Sequence, residues 1–176
     1  MKFPALLETI PTSTGENFSA YLQNRRAIIL FLRHSGCTFC REALADIALH
    51  RRAVEAEGTA IVIVHMMTLE RGASFLARYG LSDLCHVSDP KREAYTAFDV
   101  GRGSLRQLIA PAVFLRGLAA TLNGHGVGAA EGDPFQMPGL LLVQGGEIID
   151  RFEFKTAADR PNYLEFARRA LEKKSA

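Results

Sequence analysis

Two continuous apolar runs, Ala27-Ile-Ile-Leu-Phe-Leu32 and Thr59-Ala-Ile-Val-Ile-Val64, flank a stretch of helical periodicity, and no other feature constrains the fold as tightly. A strand that is apolar at nearly every position has no solvent face, so both runs belong inside a sheet covered on both sides. Between them Leu44, Ile47, Arg51 and Val54 recur at three- and four-residue spacing from Cys37 onward, with Ala43 and Ala48 beside them. Gly58 then stands where a helix ends in the left-handed region, which glycine enters without steric cost. Strand, helix and strand make a parallel βαβ unit, with Cys37-Thr38-Phe39-Cys40 at its first strand-to-helix turn.

Downstream, the pattern predicts a helix over Glu70–Tyr79 stopped by Gly80, then a short strand over Leu84–Val87. Asp89 as N-cap and Pro90 in the first position open a further helix. Leu105 to Leu122 is apolar and interrupted by Pro111, which predicts two short helices; Asn123 to Pro134 reads as a glycine-rich loop without phosphate-loop spacing. The runs Gly139–Gln144 and Glu147–Phe152, joined by Gly145-Gly146, predict a hairpin with positive φ at both turn residues. A last helix carries Tyr163, Phe166, Ala167, Ala170 and Leu171 on one stripe, with Pro161 near its start. With no repeat and no linker, residues 1–176 read as a single domain in which 104–137 form a helical and loop insertion before the C-terminal hairpin. A parallel βαβ followed by an antiparallel ββα is an α/β arrangement, the thioredoxin-like fold with a central mixed β-sheet flanked by helices.

Charge and hydropathy exclude some classes of function. The chain has 176 residues, 21 basic against 19 acidic, and its arginine pairs (Arg25/Arg26, Arg51/Arg52, Arg168/Arg169) are scattered, so there is no basic footprint for nucleic acid. Ala27–Leu32 is too short to cross a bilayer, and Met1 to Phe18, broken by Pro4, Glu8, Pro11 and Glu16, is not a secretory signal. The expectation is a cytoplasmic protein with no membrane partner. Thiols are kept reduced there, so a close cysteine pair points to redox chemistry or metal binding rather than to a structural staple. Three cysteines also leave one odd.

The turn supplies the chemistry. A thiolate is the reactive form of cysteine, and the unpaired N–H groups and positive dipole end of a helix stabilise an anion. Cys37 falls at the N-cap or first residue of the helix, and Cys40 lies one turn on, close enough to close a disulfide. The expected roles are an exposed attacking thiolate at Cys37 and a shielded resolving thiol at Cys40. Arg33, His34 and Arg41 are cationic candidates for lowering the thiolate pKa further. Zinc would need two more ligands; Cys85 and His86 could supply them, with His34, His65 and His125 as others, but no second Cys-X-X-Cys or His-X-X-X-His is present. No metal and no organic cofactor is therefore expected. Cys85 reads as a small buried residue, and the sharper alternative makes it a third redox thiol.

Phe31-Leu-Arg-His-Ser-Gly-Cys-Thr-Phe-Cys-Arg-Glu42 resembles the peroxiredoxin-like branch of the alkyl hydroperoxide reductase/thiol-specific antioxidant superfamily, which includes SelL-type redox proteins and prostamide/prostaglandin F synthases. Ser88-Asp-Pro-Lys-Arg92, Tyr95-Thr-Ala-Phe98, Gly132-Asp-Pro-Phe-Gln136 and Asp159-Arg-Pro161 agree with it, and the resemblance spans roughly residues 20 to 170. It implies a thioredoxin fold and thiol-dependent redox activity at Cys37 and Cys40. It also implies that Pro138 is a cis-proline facing the cysteine turn, so that Met137 and Pro138, with Thr38 and Phe39, contact substrate. The chain departs from true peroxiredoxins in one register-dependent way. Their cysteine follows Pro-X-X-X-Thr/Ser-X-X-Cys, whereas counting back from Cys37 gives His34 and Leu30, and from Cys40 gives Cys37 and Arg33. Against a general thioredoxin role, Gly36 rather than the usual tryptophan precedes Cys37, and the chain has no tryptophan.

Three readings follow. The first is a thiol–disulfide oxidoreductase that acts on a disulfide substrate and is returned to the dithiol by an external thiol reductant system. The second is a thiol-dependent peroxidase acting on hydroperoxides, and the third a non-catalytic or zinc-stabilised thioredoxin-fold module. The apolar stretch from Leu105 to Leu122 is either core or the surface of a homodimer, and the Asn123–Pro134 loop is a candidate cover over the site.

Overall fold

In a computed structural model, which describes residues 5–104 and 132–172, a five-stranded mixed sheet carries helices on both faces. A short 3-10 turn, Ala5–Glu8, and α1, Phe18–Gln23, precede β1, Arg26–Phe31. Then follow α2, Thr38–Ala56; β2, Ala60–His65; α3, Leu69–Ala77; β3, Cys85–Ser88; and α4, Glu93–Ala97. The hairpin β4, Gly139–Gln144, and β5, Glu147–Phe152, leads to α5, Tyr163–Glu172. Strand order is β3-β2-β1-β4-β5, with β1 parallel to β2, β2 parallel to β3, and the hairpin antiparallel. The expected thioredoxin-like α/β architecture is the one observed.

The apolar runs take central places because strand side chains alternate between faces and both faces are covered. Ile28, Leu30, Ile61, Ile63, Leu140 and Leu142 face α2, α3 and α5, packing on Leu44, Ile47, Phe75, Leu76, Tyr163 and Phe166. Ala27, Ile29, Phe31, Val62, Val64, Leu141 and Val143 face α1 and α4, meeting Phe18, Leu22, Tyr95 and Phe98. Gly58 ends α2 at φ 68°, and Gly145 and Gly146, at φ 58° and 77°, turn the hairpin. Each does what the sequence required of it.

The structure corrects the start of α4. The helix begins at Glu93, its cap position is Arg92 at φ 61°, and Pro90 lies in the turn before it. Asp89 still serves the helix from farther back: its carboxylate accepts from the backbone N–H of Glu93, Ala94 and Tyr95 at 2.8, 2.8 and 3.2 Å. A carboxylate that reaches three orphan donors over an intervening turn replaces the side chain usually found at the cap itself. The helices expected within Leu105–Leu122, and most of the loop and insertion around them, lie outside the described residues. No helix among the described residues is long and apolar enough to cross a membrane.

A histidine pair lies buried between β2, β3 and α3. His65 Nε2 and His86 Nδ1 share a hydrogen bond of 2.9 Å. Burial holds His65 down at about 4 and also lowers His86. Gly72 of α3 fits over this pair, and a Cβ there would stand 2.1 Å from His65 Nε2. The ring is fixed by its hydrogen-bond partner, so it has little room to move. Gly72→Ala, which would favour a free helix, is expected to destabilise this protein by about 1–3 kcal/mol in urea denaturation, overpacking exceeding the helix-propensity gain. His34 is likewise held at about 4, by burial and the neighbouring Arg33 charge. All three folded-state values lie below the unfolded value of about 6.5, so the unfolded chain binds more protons as pH falls. Stability should drop from about pH 6.5 and level off near pH 4 as far as these groups decide it, checked by denaturation midpoints across that range.

Candidate functional site

β1 ends at Phe31, and the next six residues cross from the sheet edge to the start of α2, where Cys37 is the N-cap residue and Cys40 lies in the first helical turn. This is the strand-to-helix position that the spacing required. Both cysteines are reduced, and both are buried, Cys37 being 5% and Cys40 4% exposed. An exposed attacking thiolate at Cys37 is therefore corrected to a sheltered one.

Arg33 bonds to both sulfurs. Its backbone N–H donates to Cys40 Sγ at 3.2 Å and its Nη1 to Cys37 Sγ at 3.3 Å. The same guanidinium donates to the carbonyls of Gln136 at 2.7 Å and Pro134 at 2.6 Å. One side chain thus ties the cysteine turn to the segment that enters β4. That segment is pinned in turn: Gln136 Nε2 donates to the carbonyls of Val100 and Gly101 at 2.7 and 2.8 Å, and Asp133 pairs with Arg92 and Arg102. Gly132, at φ 125°, bridges to His34, and a Cβ there would come 3.0 Å from the Arg33 carbonyl, so the close approach requires glycine.

The two thiols are pushed apart. The Cys40 thiol, donating toward the Cys37 sulfur, is the largest cause that lowers Cys37 below an ordinary thiol. The Arg33 charge and the Cys40 and Phe39 N–H groups add to it, against the cost of burial. Cys40 moves the other way, well above an ordinary thiol, because its proton is held in that hydrogen bond and its surroundings disfavour charge. These directions favour the negative charge at Cys37 and the proton at Cys40.

The remaining candidates fall in different places. His34 is neutral, its Nδ1 buried without a hydrogen-bond partner, so it supplies no positive charge. The Arg33 charge beside it is part of the reason, since two cations at one turn repel. Arg41 donates to the Ser35 carbonyl at 3.4 Å and lines a cleft beside α3 rather than reaching the sulfur. Thr38 and Met137 are buried. Phe39 and Pro138 line a cavity of about 20 Å3 with Cys40, Glu42, Phe154 and Tyr163, space for about one water molecule. The Met137–Pro138 bond is trans, there being no cis peptide among the described residues, so the expected cis-proline is corrected. The clamp on Gln136 and the Met137 N–H bond to the Gly101 carbonyl, 3.1 Å, set the path of this backbone.

Cys85 does not approach the pair. It lies in the opposite core layer, and burial pushes its thiol up to about 11. His86 is engaged by His65, and among the described residues no three His, Cys, Asp or Glu side chains gather as a metal cage. Sequence reasoning missed the carbonyls of Pro134 and Gln136 as the other anchors of Arg33, and Glu42 and Tyr163 beside Cys40. No motif announces them, because a backbone carbonyl has no sequence signature and the others enter through tertiary packing.

If the Cys40 proton is the leading cause of the lowered Cys37 pKa, removing it should matter more than removing the charge. Cys40→Ala is expected to raise the Cys37 pKa by more than Arg33→Gln does, both toward the ordinary thiol value of about 8.5. Alkylation rate against pH measures it, with Cys37→Ser as the blank.

Residues 4–119 match the AhpC/TSA family. Human peroxiredoxin-like 2C is 27% identical over 141 residues, which cover 75% of this chain and 62% of that protein, so the chain spans less than two thirds of that relative's length. A prostamide/prostaglandin F synthase from Danio rerio is 26% identical over 164 residues, covering 89% of this chain and 81% of that protein. Among solved structures, a PrxQ cysteine mutant from Xylella fastidiosa has a TM-score of 0.68 at 13% identity, over 100% of this chain and 96% of that one, a likeness of fold.

Proposed function

Since the chain belongs to the AhpC/TSA family, we propose that it is a thiol-dependent oxidoreductase whose working couple is the Cys37–Cys40 dithiol and disulfide. The observation that carries this reading is the divided pair: one sulfur stabilised as thiolate at a helix N-terminus beneath Arg33, its partner one turn on and held as thiol.

The geometry supports a two-step exchange. Cys37 thiolate attacks one sulfur of a substrate disulfide, its S–S bond breaks, and the first substrate thiolate departs. Once Cys37 is in the mixed disulfide it has no negative charge to accept the Cys40 proton, so the interaction that kept Cys40 protonated is gone. Cys40 then loses its proton, attacks Cys37 Sγ, and releases the second substrate thiolate. An external thiol reductant returns the disulfide to the dithiol. Phe39 and Pro138 line the cavity beside Cys40, and we assign them, with the buried Thr38 and Met137, to the wall that a substrate would meet. The chemistry calls for no metal or organic cofactor, and we place the protein in the cytoplasm on the ground that a reducing compartment keeps such a pair in use.

A second reading has its own observation. Cys37 is only 5% exposed, and a hydroperoxide reaches a sheltered sulfur more easily than a folded protein disulfide does. In that case Cys37 thiolate takes one oxygen from the hydroperoxide to give sulfenic acid and an alcohol, and Cys40 condenses with it to form the disulfide and water.

Trapping thiols across a dithiothreitol redox series and reading them residue by residue tests the common part. A reversible two-electron transition at Cys37 and Cys40, with Cys85 unmodified, is expected; absence of a Cys37–Cys40 disulfide at every poise would overturn the proposal. Peroxide consumption by the reduced protein, lost in Cys37→Ser, then separates the second reading from the first.

A further inference from the structure

The Arg33 guanidinium reaches the Cys37 sulfur through Nη1, and its other two nitrogens both bond to the chain that enters β4. Nε donates to the Gln136 carbonyl at 2.7 Å and Nη2 to the Pro134 carbonyl at 2.6 Å. A guanidinium is a rigid plane, so two fixed donors also fix where the third one points. The aim of Nη1 at the sulfur is therefore set by two carbonyls from a distant stretch of chain. Whatever holds those carbonyls still holds the charge against Cys37.

Asp133 holds them. Its backbone carbonyl accepts the Gln136 N–H at 3.0 Å, and its carboxylate accepts the Phe135 N–H at 2.9 Å. Together these close a β-turn with Asp133 first and Pro134 second, the places such a turn favours for those residues. The same carboxylate pairs with Arg92 at 2.5 Å and with Arg102 at 3.0 Å. Arg92 is the cap of α4, so the turn is fastened to the far layer of the fold. Arg92 stands at φ 61°, a left-handed conformation that residues with a Cβ seldom occupy, and in that conformation its guanidinium meets Asp133. Burial pushes the Asp133 carboxyl up, but the Phe135 N–H and the Arg102 and Arg92 charges outweigh it and hold the group below the usual carboxylate range. The clamp is therefore charged throughout the range in which Cys37, at about 6, titrates. The other titratable groups at this turn stand clear of that range, Cys40 well above it and His34 below it at about 4.

We propose that Asp133 is a positioning residue for the reactive thiolate: the turn it closes over Pro134 fixes the carbonyls that aim Arg33 at Cys37 Sγ. Its place in the reaction rests on the redox reading above, and its effect is on the dithiol state alone. The assignment carries a sign. Removing a carboxylate near a thiolate, and leaving Arg92 and Arg102 without their countercharge, favours the thiolate through space and lowers the Cys37 pKa. Losing the aim of Arg33 disfavours the thiolate and raises it. The two effects oppose each other, so the direction of the change distinguishes a positioning role from a bare charge.

The experiment alkylates full-length reduced protein with iodoacetamide from about pH 5 to about pH 9 and reads Cys37 by mass spectrometry. Wild type is compared with Asp133→Ala, Asp133→Asn, Arg33→Gln and Asp133→Ala/Arg33→Gln, each checked for fold by circular dichroism. Asp133→Ala should raise the Cys37 pKa by about 0.5–1, and Asp133→Asn, which keeps the turn and loses the ion pairs, by less. In the Arg33→Gln background Asp133→Ala should give no further rise. Gly72→Ala, which lowers stability elsewhere, should leave the Cys37 pKa unchanged. A dithiothreitol redox titration reads the consequence for the couple. A rise of one in the Cys37 pKa should shift the equilibrium toward the disulfide about fivefold at pH 7, because the dithiol loses part of its thiolate stabilisation. A Cys37 pKa that falls or stays in place in Asp133→Ala, or that rises equally with and without Arg33, would overturn the positioning role. Should Asp133→Ala not fold, Asp133→Asn decides by the same signs. A wild type that forms no Cys37–Cys40 disulfide overturns the redox reading, and the alkylation profile still decides Asp133.

Discussion

The site depends on a buried guanidinium. Arg33 is 7% exposed, and a cation taken out of water is tolerated only where acceptors surround it. Three bonds from the guanidinium meet that requirement, to the Cys37 sulfur and to the carbonyls of Pro134 and Gln136, while the backbone N–H of the same residue donates to the Cys40 sulfur. Because these partners come from the start of α2 and from the approach to β4, the charge fixes two distant stretches of chain against each other. The dependence is reciprocal. The thiolate supplies the countercharge that makes burial of Arg33 tolerable, and Arg33 supplies part of the field that keeps Cys37 ionised.

The layered fold around this contact was legible because it follows from period and punctuation. Ala27–Leu32 and Thr59–Val64 have no polar face to expose, Gly58 and the Gly145-Gly146 pair allow positive φ where the chain must turn, and Tyr163, Phe166 and Ala167 form one stripe. These are local statements, and the sheet needs only local statements to choose its central strands. The position of Cys37 at the cap of α2 was legible for the same reason. The 3-10 turn at Ala5–Glu8 and the six-residue α1 were not, since neither is long enough to show a period.

What the sequence left open depends on contacts between residues far apart in the chain. Asp89 in the usual cap position before Pro90 suggests a helix starting at once; the chain makes a turn first, and the carboxylate serves the helix across it. Pro138 in a thioredoxin-like chain suggests a cis bond, but the path of Met137–Pro138 is governed by Gln136 and Met137 bonding to Val100 and Gly101, about 35 residues away. His34, Arg33 and Arg41 are equally cationic on paper. Only the fold shows that one is neutral, one is bound to both sulfurs and one opens toward a cleft.

The same contacts set the direction in which the couple is poised. Every interaction that lowers the Cys37 pKa acts on a charge that exists in the dithiol state and vanishes when the disulfide forms. The Arg33 guanidinium, the Cys40 proton and the helix N–H groups therefore stabilise the reduced form selectively, and a stabilised reduced form makes the disulfide the stronger oxidant. Burial opposes this, since it disfavours the thiolate, and the lowered pKa shows that the stabilising contacts exceed it. Under the function proposed above, a disulfide so poised would accept electrons readily from a thiol reductant, and the regenerated thiolate would meet the next oxidant. Cys85, with its thiol held up in the opposite core layer, has none of these contacts and takes no part in that balance.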